Sequence, residues 1–388
     1  MTDRIDAALQ EATRRGDVAG VVAMAASADG VLYQGAAGLR EAGGSAAMTT
    51  DTVFWIASMT KAITSVAAMM LVEQGRLSLD APLGALLPAL AAPRVLEGFA
   101  PDGSPLLRPA RTAVTLRHLL THTSGYSYER WSADLLAAHQ KLGLSRVPRD
   151  WDELAREPLL FDPGTGWSYS IATDLVGKAV EAASGQALDA FMQAHIFAPL
   201  GMRDSGFTLD AARAARLARV HARQPDGGLA PMEFPVGQGL GFLAGGGGLC
   251  STAGDYLRFL RMLLGGGALD GVRLLTPESV AEMGRNQIGE LAFQTMRTTS
   301  PATSYDANFF PGMVQKWGLG FLINTERTPS GRSPGGLAWA GLGNTYYWLD
   351  PARGVAGVLM TQSLPFADPR TLDLLWTFER EVYRLADA

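Results

Sequence analysis

Strand-like patterns stand at both ends of this chain, and helical patterns fill the long stretch between them. Near the N-terminus, apolar residues at 21–26 and 31–34 flank Asp29-Gly30, a hairpin signal. The last hundred residues carry extended runs at 317–324, 337–340, 345–349 and 355–361, with a turn over 350–354 between the last two. In the middle, apolar residues recur at helical spacing over 171–183, 187–195 and 252–264, broken by Gly/Pro loops. The Ala/Arg-rich stretch 211–223 reads as an exposed helix. Helices also bracket the chain. One covers 3–15 and stops at Gly16; the other opens at Asp368-Pro369, an N-cap followed by proline, and runs to about Leu385. Strands so far apart cannot pair locally. The simplest closure is one antiparallel sheet drawn from both chain ends and covered by the terminal helices. That predicts an α+β chain, with 1–80 and 290–388 in an α/β domain and 81–289 in a second, mostly helical one.

Composition narrows the function classes. Of 388 residues, 47% are hydrophobic, enough for a large core, and the net charge of -5 is scattered rather than gathered into a basic stripe. Neither nucleic acid nor a membrane surface is an expected partner. No run approaches 18 uninterrupted apolar residues, and the charged N-terminus lacks the apolar centre of a signal peptide. The single cysteine, Cys250, excludes an internal disulfide. These features together read as a soluble, cytoplasmic protein, a monomer or small homo-oligomer.

Two serines compete for a nucleophile's role. Gly331-Arg332-Ser333-Pro334-Gly335 fits G-x-S-x-G, the elbow of many serine hydrolases. An elbow needs a strand before the serine, a helix after it, and the next residue's N–H as an oxyanion donor. Pro334 has no N–H and biases Ser333 toward extended geometry. A loop precedes the serine and Gly335-Gly336 follows, so the motif reads as a turn. The other serine lies in Ser58-Met59-Thr60-Lys61, an S-x-x-K at the opening of a helix read over 58–74. Three residues apart on a helix, Ser58 and Lys61 share a face. A lysine held in an apolar pocket has a lowered pKa and can take a serine proton near neutral pH. The helix N-terminus places free N–H groups where an oxyanion would form. The chain has only four lysines, and Lys61 alone has serine three residues before it.

With SMTK (58–61), three further stretches carry a resemblance: RHLLTHTSG (117–125), PGTGWSYS (163–170) and WAG (339–341); GGGGLCSTAGD (245–255) is also similar. In this order, over nearly the whole chain, they resemble the serine β-lactamase and penicillin-binding-protein superfamily. Within it the chain is similar to the class C β-lactamase-like carboxylesterases, family VIII. The resemblance implies that superfamily's fold with the active site between the two domains. It implies that Ser58 is the nucleophile, that Lys61 and Tyr169 together deprotonate it, and that Tyr169 protonates the leaving alkoxide. A phenol ordinarily titrates near 10, so such a tyrosine needs a nearby cation. The strand residues Trp339, Ala340 and Gly341 stand where β-lactamases have Lys-Thr-Gly or a similar triplet. The backbone N–H groups of Ser58 and Leu342 are then the expected oxyanion hole, and Gly341 lets substrate approach the strand.

Two departures set the expected substrate. Trp339 replaces the cation that helps grip a β-lactam's carboxylate. Ile171 replaces the Asn of the family's Y-x-N, which would contact a β-lactam side-chain amide. Both apolar replacements, with Trp317 nearby, suit an alkyl or aryl ester. The expected activity is hydrolysis of short-to-medium acyl esters through a Ser58 acyl-enzyme, without metal or organic cofactor. A β-lactamase, a D-Ala-D-Ala peptidase or an acyltransferase on the same scaffold is the alternative, and a non-catalytic scaffold a further one.

The remaining signals read as structural. His118 and His122, at i and i+4, lack a third ligand in sight. The G-x-G-x-x-A at 239–244 is followed by more glycines rather than a helix, so the 245–248 run reads as a flexible wall of the site. Cys250 reads as a buried thiol.

Overall fold

The computed structural model describes residues 2–145, 148, 150–234, 236 and 241–387. Seven strands form one antiparallel sheet in the order Gln315–Trp317, Leu322–Asn324, Leu337–Gly341, Thr345–Asp350, Val355–Met360, Gly20–Ser27, Val31–Gly38. The N-terminal hairpin therefore pairs with the last long strand, through Val22 opposite Met360 and Ser27 opposite Val355.

Side chains alternate across a sheet, so the adjacent Tyr347 and Trp348 face opposite ways. On the Trp348 side, Phe378 of the C-terminal helix Pro369–Ala386 packs against Trp348 and Tyr33. The N-terminal helix Asp3–Arg14 joins it there, burying Ile5, Leu9 and Ala12. On the Tyr347 side, Tyr256 of helix Ala253–Leu264 meets Tyr347 and donates its hydroxyl to the Met59 carbonyl at 2.9 Å. Helix Thr60–Glu73 lies deeper and buries eleven residues, Lys61 among them. A helix apolar nearly all round belongs in the middle of a protein. It packs on helix Ala172–Ser184, and the glycine run 245–248 lies against both.

Several sequence expectations change in detail. The run 317–324 is not one strand but a tight hairpin. Gly320 takes φ +100°, and a Cβ there would stand 2.3 Å from Ser65 Oγ of the central helix, so the backbone turns against that helix. The helix expected over 211–223 spans only Ala211–Ala214, and the stretch ends in strand His221–Arg223, which pairs with Leu229–Pro231 and with Ser363–Leu364. Arg223 decides this: its guanidinium is paired with buried Asp368 and donates to the carbonyls of Gly16, Asp17 and Gly227. A hairpin, Arg94–Phe99 with Pro105–Pro109, interrupts the helical middle. Among the described residues no helix is long and apolar enough to cross a membrane.

The GRSPG turn is accounted for by burial. Arg332 sits 4% exposed, its guanidinium donating to both carboxylate oxygens of fully buried Glu379 at 2.8 and 3.2 Å. Ser330 Oγ donates to the same carboxylate at 2.9 Å. Ser333 donates its backbone N–H to Asp350. Residues of this turn tie the sheet's far face to the C-terminal helix.

Candidate active site

Ser58 occupies a short 3₁₀ turn, Ala57–Met59, that feeds directly into helix Thr60–Glu73. The turn is forced into place from three sides. Ala57 takes φ +44°, a left-handed conformation costing a non-glycine residue about 1–3 kcal/mol, which surrounding contacts must hold. The preceding strand Phe54–Trp55 pairs with Cys250–Ser251, and Gln362 brackets Trp55 by accepting from its N–H (2.8 Å) and donating to its carbonyl (3.1 Å). Strand Leu337–Gly341 closes the third side. A Cβ on Gly341 would lie 2.3 Å from the Ile56 carbonyl oxygen and 2.2 Å from Thr345 Oγ1. Gly341 thus lets the strand touch the Ser58 turn. We expect Gly341→Ala to cost about 1–3 kcal/mol by overpacking against the Ile56 carbonyl; denaturant unfolding measures it.

Lys61 is 1% exposed and spends all three ammonium donors. Nζ donates to Ser58 Oγ at 3.3 Å, to the Tyr128 hydroxyl at 3.1 Å and to the Gly246 carbonyl at 2.7 Å. The same Nζ lies 4.9 Å from the ring centre of Tyr169. The Tyr169 hydroxyl instead accepts the Trp339 indole N–H at 3.0 Å, leaving its own O–H to donate. The structure therefore brings Ser58, Lys61, Tyr169 and Trp339 together. Tyr128 completes the group, and sequence reasoning missed it; its position just after His122-Thr123-Ser124-Gly125 was the available signal. Burial, with Tyr169 and Asp174 adding to it, holds the Tyr128 phenol well above its usual range. It meets Lys61 as a neutral hydroxyl.

Among the described residues, neither the Ser58 nor the Leu342 backbone N–H donates to a protein acceptor. Leu342 follows Gly341, whose strand lies against the Ser58 turn. Ile171 directly precedes helix Ala172–Ser184 and is buried. Ala340 is buried beside Trp339 in its strand. Trp317 has no exposed surface: it donates to the Leu120 carbonyl and packs edge-on behind Trp339, with ring centres 4.7 Å apart. It braces the aromatic wall, while Trp131, partly exposed, stacks edge-on against both Tyr128 and Tyr169.

The histidines do not reach Ser58. His118 caps its own helix, exchanging hydrogen bonds with Thr115. His122 shares a 2.9 Å hydrogen bond with Ser170, and burial first, then the charge of Lys61, hold it well below its ordinary range. Cys250 is buried, its thiol pushed up to about 12 by desolvation. In the G-x-G-x-x-A stretch, Gly239 and Leu240 lie outside the described residues, and 241–248 leads into turns. The flexible wall expected at 245–248 is instead firmly held. Gly245 and Gly246 are buried, and Thr64, Lys61 and Asp174 bond their peptides at 2.6–2.7 Å.

Known proteins resemble this chain in sequence and fold. The sequence profile of the family described as Beta-lactamase matches residues 5–379. The chain is 36% identical to the lovastatin esterase of Penicillium rubens, covering 98% of each chain. It is 32% identical to the monacolin J acid methylbutanoyltransferase of Aspergillus terreus, over 98% of this chain and 95% of that one. Among solved structures, a mutant of the simvastatin synthase LovD from Aspergillus terreus superimposes with a TM-score of 0.87 at 32% identity, covering 100% of this chain and 98% of that one.

Proposed function

From the premise that this chain belongs to the β-lactamase family, as a serine hydrolase whose relatives are esterases and acyltransferases, we propose that it is a carboxylesterase acting through a Ser58 acyl-enzyme. The observation that carries this reading is the Lys61 ammonium bonded to Ser58 Oγ inside a buried, aromatic-walled site.

In the reaction, Lys61 in its neutral form takes the Ser58 proton as Oγ attacks the ester carbonyl. The tetrahedral oxyanion settles between the N–H groups of Ser58 and Leu342. Tyr169, oriented by the Trp339 indole, donates its hydroxyl proton to the departing alkoxide and recovers one from Lys61. The acyl-enzyme remains. Water then attacks, giving up its proton to the same pair, which passes it to Ser58 Oγ as the C–O bond to Ser58 breaks and the acid is released. No step calls for a metal or organic cofactor. Trp339, where the β-lactamase resemblance expects a cation, supports an apolar ester rather than an anionic β-lactam. Trp339, Ala340, Gly341 and Ile171 form the wall on which the ester rests.

The test compares p-nitrophenyl butyrate with a chromogenic cephalosporin, and follows fluorophosphonate labelling by peptide mass. We expect the ester to be cleaved faster and the label on Ser58. Faster cephalosporin turnover would replace the esterase reading with a β-lactamase. The similarity to an acyltransferase favours a second reading, in which an alcohol takes the place of water. Product analysis with added alcohol separates the two: acid alone marks a hydrolase, a new ester a transferase.

A further inference from the structure

Behind Lys61 lies a carboxylate to which the reaction above assigns no part. Asp174 stands in the first turn of helix Ala172–Ser184, only 6% exposed. Its Oδ1 accepts the backbone N–H of Gly246 at 2.7 Å, and the carbonyl of that same residue accepts Lys61 Nζ at 2.7 Å. A Cβ at position 246 would stand 3.1 Å from Asp174 Oδ1, so the carboxylate and the backbone are closely packed. The Gly246 carbonyl is the shortest of the three bonds Lys61 makes. Among the described residues its carboxylate makes no direct ion pair.

We infer that Asp174 is a positioning residue for the Ser58 chemistry: through Gly246 it fixes the Lys61 amine against Ser58, and its negative charge sets the pH range over which that amine can act. The inference rests on the reading of Lys61 as the base. The charged groups around Asp174 are few. Lys61 faces it from helix Thr60–Glu73, and the Gly246 N–H from the glycine run; its charge is also felt at the Tyr128 phenol and at the buried Glu157 carboxyl. Burial pushes the Asp174 carboxyl up to about 6, opposed by Lys61 and the Gly246 N–H.

The experiment measures the second-order rate of fluorophosphonate labelling at Ser58 from pH 5 to 9, in the full chain and in two variants. Asp174→Asn keeps an oxygen for the Gly246 N–H but removes the charge. Without a nearby anion the Lys61 amine releases its proton more readily, so the acidic limb of the profile should move to lower pH by about one unit. The rate at the optimum should stay within about threefold of the wild type. Asp174→Ala removes the acceptor as well, and should lower the optimum rate about tenfold or more, with Asn as the rescuing substitution. An Asn profile that superimposes on the wild type overturns the inference, and does so even if the Ala variant fails to fold. A folded Ala variant that labels at the full rate overturns it too. Failure of wild-type Ser58 to label at all would instead sink the esterase reading.

Discussion

Replacing Ser58 with alanine should lower hydrolysis of p-nitrophenyl butyrate by about three orders of magnitude or more, while circular dichroism shows the fold unchanged. Ser58 Oγ is the hydroxyl that the Lys61 amine holds, and the N–H of the same residue donates to no acceptor among the described residues. Ser58 is partly exposed where its neighbours are buried, so its hydroxyl faces the cleft and little packing is lost on removing it. The rival serine cannot take over. Ser333 belongs to a turn tied to the far side of the sheet by Arg332, Asp350 and Glu379. A Ser58→Ala protein that kept most of its activity would return Ser333 and the histidines to consideration.

The second large effect falls on that same turn. Glu379→Ala should destabilise the protein by about 3–5 kcal/mol, read from denaturant unfolding, because it strands the Arg332 guanidinium without its partner. Both side chains are almost wholly buried, at 5% and 0% exposure, and Ser330 loses its acceptor as well. Replacing Arg332 and Glu379 together with apolar residues of similar volume should cost far less, since the penalty comes from an uncompensated buried charge rather than from loss of the pair. Ester turnover at low temperature should persist in the folded fraction of either variant. A Glu379→Ala protein as stable as the wild type would mean that water reaches Arg332 and that the turn is no structural anchor.

Much of this protein was legible in its residues, and the reasons are local. The helices are written in apolar spacing and caps: Thr252 accepts from Asp255 N, and Asp368 with Pro369 opens the last helix. The S-x-x-K reads as chemistry because three residues on a helix bring two side chains to one face. The division of strands between the chain ends points to a sheet closed across the whole chain, because extended segments must pair to satisfy their backbone groups.

What residues alone did not decide is where long-range packing overrules local preference. Ala/Arg-rich 211–223 has helical composition, yet Arg223 is drawn into a strand by carbonyls from 16, 17 and 227 and by Asp368, none of them near in sequence. The glycines at 318 and 320 split an apparent strand because neither position has space for a side chain: the Met283 carbonyl crowds the first and Ser65 of the central helix the second. A loop of glycines at 245–248 looks flexible by composition and is rigid in place, since its peptides bond to Lys61, Thr64 and Asp174. Tyr128 lies 67 residues from Lys61 and shares no motif with it. Spacing along a helix can announce Ser58 and Lys61 as a pair. Only the folded chain, by closing three distant segments around one ammonium, determines which hydroxyl and which carbonyl hold the lysine to its serine.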